Sequence, residues 1–242
     1  MNQEHIVSSF DDELKKLDNM VLEMGGLAES QLARAVVALS RRDLGLAEQV
    51  VQTDSRIDDL ELEIHEFTLR MLATRQPMAV DLRIILAALK ISSGLERIGD
   101  YAKNIAKRTT TVAEITGVEG MAQSITRMST IAQRMIKNAL DAYITRDLKM
   151  VADVCVRDQE IDLMHTNLSR ELLTFMTAGN ENITMATHLL FISKNVERIG
   201  DHATGIAEQV HFMVAGELPE QARPKGDDAA YAKVESEDEV PQ

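Results

Sequence analysis

The sequence predicts an all-α protein: two tandem, similar antiparallel three-helix bundles, followed by a disordered acidic C-terminal tail. Three observations predict it. Gly (12) and Pro (4) are few for 242 residues, which argues against a loop-rich or all-β chain. Apolar residues recur at helical spacing through most of the length. The chain also repeats itself, the second half following the first at an offset of 104 and then 101 residues.

The elements follow in order. Ser8, Ser9 and Asp11 offer caps for a first helix of about residues 11–41, which Gly25-Gly26 could bend. Asp43 opens a second helix that runs to about Arg75. Pro77 suits the first turn of a third. In that helix Ile84, Ala88, Ile91, Leu95, Ile98, Ala102 and Ile105 step alternately by four and three, a single apolar stripe. Thr109 to Gly120 reads as a linker, and three more helices follow at about 121–145, 147–178 and 181–215. The expected units are thus 8–110 and 118–215, with a tail over 217–242 that carries Pro219, Pro224 and Pro241 and a nearly all-acidic run from Glu235 to Glu239.

Charge and composition exclude several function classes. The formal net charge of −13 is the wrong sign for a nucleic-acid footprint. The single cysteine, Cys155, excludes an intramolecular disulfide and a cysteine-based zinc site, and in its Val-rich surroundings it reads as a small core residue. The first residues lack a basic and apolar leader, and the longest apolar run, Ile84 to Leu89, is far too short to span a bilayer. The expectation is a cytoplasmic protein without direct membrane insertion. There is no Gly-rich phosphate loop, no His-Glu-x-x-His and no Gly-x-Ser-x-Gly.

The repeat is where the sequence says most. Ile91–Ala106 and Ile192–Ala207 share ten identities over sixteen positions, including Glu96-Arg97-Ile98-Gly99-Asp100 and Glu197-Arg198-Ile199-Gly200-Asp201. Upstream, Arg42-Asp43-Leu44 matches Arg146-Asp147-Leu148, and Asp54, Ile57 and Asp58 match Asp158, Ile161 and Asp162. Each copy therefore holds two acid pairs at i,i+4: Asp54/Asp58 with Glu96/Asp100, and Asp158/Asp162 with Glu197/Asp201. A spacing of four puts both carboxylates on one helix face, where they repel. Counted from the turn between the two helices, the pairs come level to within about 3 Å. At roughly 100° per residue they lie on a flank of the apolar stripe, so the expectation is an outward-facing acidic cluster in each half.

Two readings of these eight carboxylates stay open on the residues alone. They could hold hard cations such as Mg²⁺, Mn²⁺, Ca²⁺ or iron. They could equally form a solvated face with ion pairs, and Lys103, three residues beyond Asp100, can supply one in the first half. Its counterparts in the second half, Thr204 and Gly205, cannot. Arg97 and Arg198 are further candidate counter-ions. Gly99 and Gly200 each cost about 1 kcal/mol in a helix interior, which suggests a close helix approach or access to the acids. His202 reads as a surface or packing residue. Glu208 to His211 forms a lone Glu-x-x-His, whereas an inward di-iron centre needs two. A carboxylate-bridged metalloenzyme and a purely structural scaffold are the rival readings.

On these residues the chain resembles the PhoU family. The resemblance covers about residues 8–215 and is strongest at Arg75-Gln76-Pro77-Met78-Ala79-Val80-Asp81-Leu82-Arg83 and at the two Glu-Arg-Ile-Gly-Asp boxes. It implies paired three-helix bundles and a non-enzymatic negative regulator of bacterial phosphate uptake and phosphate-starvation signalling. The partners it implies are a phosphate ABC transporter, through its ATPase, and a sensor histidine kinase, with the protein itself a homodimer. It also implies metal, iron or zinc with Mg or Mn as further options, at Asp54, Asp58, Glu96, Asp100, Asp158, Asp162, Glu197 and Asp201. The chain departs from the family pattern at Tyr101, where the second half has His202, and at Gly205.

Overall fold

The first residue after each opening hairpin turn explains why the sequence repeats there. Arg42 and Arg146 adopt left-handed backbone conformations, with φ of 56° and 59°. Asp43 and Asp147 then cap the next helix, accepting hydrogen bonds from the amides of Leu46 at 2.9 Å and Lys149 at 2.8 Å. The Arg-Asp-Leu triplet is one turn-and-cap device used twice.

The computed structural model describes residues 2–113 and 119–219, and no strand occurs among them. The helices are α1 (Asn2–Arg41), α2 (Leu44–Thr53), α3 (Ser55–Arg75), α4 (Val80–Val112), α5 (Glu119–Thr145), α6 (Leu148–Thr177) and α7 (Asn182–Ala215). The first bundle is α1, α2–α3 and α4; the second is α5, α6 and α7. α4 and α7 pack on each other antiparallel, Gly94 lying against Ile206 and Arg83 against Gly216. One apolar core runs through both halves. The stripe from Ala88 to Ile105 is fully buried within it, while Ile84 at its end is only partly covered.

Several expectations change. The second helix of the first half is two helices, α2 and α3, meeting at Asp54. Pro77 lies outside α4, which begins at Val80 after Gln76 and Ala79 take left-handed φ values of 48° and 51°. α4 continues to Val112, so Thr109 to Thr111 are helical rather than linker. α1 runs unbroken through Gly25-Gly26, where Gly25 lets Leu140 of α5 approach. Cys155 is half-buried rather than a core residue. The tail expectation falls mostly on residues 220–242, outside the described residues. Glu217 to Pro219 follow the left-handed cap at Gly216.

A buried phenol also ties the halves together. Tyr143 of α5 is fully buried and donates its hydroxyl to Asp18 of α1 at 2.5 Å. Arg146 stacks over the same ring at 4.8 Å and stands 3.6 Å from Asp18. Burial and the Asp18 carboxylate push the phenol's pKa far above its ordinary value, so it stays a neutral donor.

Candidate functional site

In the first half the acids gather around a lysine. Lys103 donates to both Asp54 and Asp100, the latter at 2.6 Å. Asp54 sits at the break between α2 and α3, and its other oxygen accepts from Gln31 Nε2 of α1 at 2.8 Å. The same amide stands 3.4 Å from the Gly99 carbonyl. Arg97 flanks the group, 3.4 Å from Glu96 and 3.6 Å from Asp100.

Protonation follows from this arrangement. Burial, and then the Asp100 carboxylate, raise Glu96 to about 7. Burial also opposes ionisation of Asp100, but the hydrogen bond and charge of Lys103 outweigh it and hold Asp100 below the carboxylate range. Asp58 is exposed at the rim, yet desolvation and Asp54 push it up. Burial disfavours the Lys103 ammonium, but the two carboxylates reverse this and raise its pKa. The cluster carries its own cation.

The second half lacks that lysine. Its counterpart is Thr204, buried, with a hydroxyl oxygen that has no partner. The counterpart of Gln31 is Met135, which is fully buried and offers no amide. Instead Lys194 of α7 donates to Glu197 Oε1 at 2.8 Å. Glu197 is only 5% exposed, and its Oε2 is buried without a hydrogen-bond partner. Burial raises its pKa, with Asp201 and Asp162 adding to the effect against the pull of Lys194. Asp158 and Asp162 are also buried and Asp201 is half-buried.

The expected outward-facing clusters are therefore corrected. Asp54, Asp158, Asp162 and Glu197 are buried, Glu96, Asp100 and Asp201 are half-buried, and only Asp58 is exposed. A flank position in a three-helix bundle faces the seam with the next helix, and the box glycines narrow that seam. A Cβ on Gly99 would fall 2.9 Å from Ile57 Cδ1, and one on Gly200 would fall 3.1 Å from Asp158 Oδ1. Both glycines let an acid-bearing helix come within touching distance.

For a metal, the two halves differ. Among the described residues no three His, Cys, Asp or Glu side chains are gathered closely enough to hold an ion. In the first half the Lys103 ammonium already lies between Asp54 and Asp100, so the residues do not fit a second cation. In the second half the unpartnered Glu197 oxygen is a hard-cation donor with the Asp201 and Asp162 carboxylates nearby, but these side chains are not gathered into a cation site. Gln31 and Lys194 were not singled out from the sequence. The signal for Gln31 was there: it is the lone polar residue on an apolar α1 face of Met24, Ala28, Leu32 and Ala35. His202 is half-buried, its ring 5.6 Å from that of Tyr101. His211 bonds the Glu217 carbonyl at 2.9 Å.

Known proteins share this architecture. The PhoU domain family matches residues 21–109 and 125–210. A phosphate-specific transport system accessory protein PhoU homolog of Caulobacter vibrioides is 49% identical over 224 residues, covering 93% of this chain and 97% of the relative. Its counterpart in Rhizobium meliloti is 45% identical, covering 94% and 96%. The crystal structure of PhoU from Pseudomonas aeruginosa superposes with a TM-score of 0.83 at 36% identity, covering 86% of this chain and all of that one. The phosphate transport system regulatory protein PhoU from Streptococcus pneumoniae superposes with a TM-score of 0.80 at 27% identity, covering 88% and 100%.

Proposed function

The chain belongs to the PhoU domain family, and from that we propose that it is a regulator of a phosphate transport system rather than an enzyme. It acts on the transporter through the ATPase subunit and, with a sensor histidine kinase, holds the phosphate-starvation response off while phosphate is ample. The observation that carries this reading is collinear identity, 49% over nearly the whole length, with proteins named as accessories of phosphate-specific transport. A binding role rather than a catalytic one is further supported by the acid boxes. In them Lys103 pairs with Asp54 and Asp100, and Lys194 pairs with Glu197.

Among the described residues no helix is long and apolar enough to cross a membrane, so contact with a transporter runs through surfaces. Leu62 and Leu69 on α3, and Val156 and Leu163 on α6, are each seven residues apart and more than half exposed. These apolar pairs suit a second copy of the chain or a protein partner. In the cytoplasm such a homodimer would reach both partners. A metal belongs to the second box, where Asp158, Asp162, Glu197 and Asp201 would hold it. There it would supply the positive charge that Lys103 supplies in the first. All-oxygen donors suit Mg²⁺, Mn²⁺ or iron over zinc.

The test is a phosphate-starvation reporter in the native host, read after depletion of this protein in phosphate-rich medium. The reporter is expected to switch on despite ample phosphate. A silent reporter together with unchanged phosphate uptake would overturn the reading.

A further inference from the structure

The seam between α4 and α7 has two sides, and the 101-residue offset makes them counterparts. On one side lie Phe191 and Tyr101 with Arg108 and Arg198 over their rings, at 4.3 and 5.7 Å. On that side each ring is thus covered by a guanidinium. On the other side the counterpart of Phe191 is Lys90, that of Arg108 is Gln209, and that of Asn104 is Gly205. This side therefore has neither the aromatic ring nor the amide side chain, and an open groove of about 370 Å³ lies there.

Its charged lining is of one sign. Lys90 and Arg97 are cationic, His202, Ser93 and Gln209 add polar groups, and no carboxylate lines it. This is notable in a chain of net charge −13. Lys90 makes no ion pair among the described residues, and the Arg97 guanidinium is 57% exposed, held by Glu96 and Asp100 only at 3.4 and 3.6 Å. A guanidinium so loosely paired still has N–H groups to turn on a tetrahedral oxyanion, and an ammonium across the groove adds a point charge.

We propose that this groove binds a phosphoryl oxyanion, either inorganic phosphate or the phosphate of a larger phosphorylated small molecule, between Lys90 and Arg97 of α4 and His202 of α7. Its volume is about a dozen waters, room for a phosphoryl group and part of what bears it. The choice of ligand rests on this lining and not on the transporter reading. Its test is therefore made in vitro, where failure leaves that reading standing.

The experiment follows the amide signals of Gly94 and Gly205 in the full-length chain by NMR, titrating inorganic phosphate and, separately, ATP. Saturable shifts are expected with at least one probe. Phosphate alone sufficing identifies the free ion; ATP binding at least about tenfold more tightly identifies a phosphorylated molecule. Lys90→Glu is expected to weaken affinity at least about tenfold by reversing one contact charge. Lys90→Phe with Gly205→Asn, which copies the counterpart residues Phe191 and Asn104, is expected to abolish it. Lys90 is exposed and Gly205 lies on the groove wall, and an unchanged remainder of the spectrum verifies that each variant is folded. No shift with either probe at millimolar concentration, or shifts that survive both variants, overturns the proposal.

Discussion

Lys103 reaches back across the first bundle to Asp54, the residue at which the second helix of that bundle breaks into α2 and α3. The ammonium thereby neutralises a carboxylate that is only 4% exposed. Removing one partner of such a pair leaves an uncompensated buried charge, which costs more than the pair contributes. Lys103→Met is expected to lower stability by about 2–4 kcal/mol. Adding Asp54→Asn is expected to restore most of that loss. Urea denaturation of the two single variants and the double variant measures the coupling. A double variant no more stable than Lys103→Met would show that Lys103 acts through packing alone.

Glu96 makes stability depend on pH in a definite direction. In the folded, metal-free protein its carboxyl holds a proton up to about pH 7, whereas unfolded it releases the proton near 4.5. The folded state therefore binds more protons across that window, and stability falls as pH rises through it. Glu96→Gln keeps the neutral form at every pH. It is expected to leave stability at pH 4.5 nearly unchanged and to raise it at pH 8 by about 1 kcal/mol. Denaturation midpoints at the two pH values check this. A variant destabilised equally at both would mean that the Arg97 contact outweighs the proton.

Two glycines in helices should respond oppositely to alanine. Gly26 is exposed, and a Cβ there meets nothing within 4 Å. Gly26→Ala is expected to stabilise by up to about 1 kcal/mol through helix propensity alone. A Cβ at Gly200 comes within 3.1 Å of Asp158 Oδ1 and 3.2 Å of Ile161 Cδ1, so these buried side chains must shift by a few tenths of an ångström. Gly200→Ala is expected to cost about 1–3 kcal/mol despite its better propensity. Thermal melts of both variants provide the comparison.

The repeat made most of this legible before any coordinates. Identical boxes at a fixed offset imply identical local structure, and the Arg-Asp-Leu turns and the box glycines behave alike in both halves. The burial of the acids was not legible. Rotation about one helix axis tells how far Glu96 stands from Leu95, but not that α1 closes over the seam with Gln31. The break at Asp54 was hidden for a similar reason, because no Gly or Pro marks it. The repeat also hid its own asymmetry. Lys103 against Thr204, and Gln31 against Met135, are substitutions outside the boxes, and they decide which half neutralises itself.

Asp18 and Tyr143 join helices from opposite halves, α1 and α5, through a hydrogen bond of 2.5 Å. Tyr143→Phe keeps the ring packing and removes only the donor. The expected cost is about 1–2 kcal/mol, moderated because Asp18 is partly exposed and can take up water. Because α4 and α7 share a core, the variant is still expected to unfold in one transition, seen alike by circular dichroism and tyrosine absorbance. Two separated transitions would show that the phenol, rather than the shared core, couples the halves.

Metal loading should distinguish the two boxes. A bound cation stabilises the folded chain by mass action, so added Mn²⁺ raises the melting temperature only where a site exists. In the second box Glu197 Oε2 has no hydrogen-bond partner, and a cation there would gain a donor beside the Lys194 ammonium on Oε1. Glu197→Gln and Asp201→Asn are expected to abolish any Mn²⁺-dependent rise, and chelation is expected to reverse it in the parent chain. Asp100→Asn is expected to leave the rise intact, since Lys103 already holds that box. In Lys103→Met the first box loses its built-in cation and keeps its acids, so added Mn²⁺ should recover part of the stability lost. A rise abolished by Asp100→Asn and untouched by Glu197→Gln would reverse the assignment of the two halves.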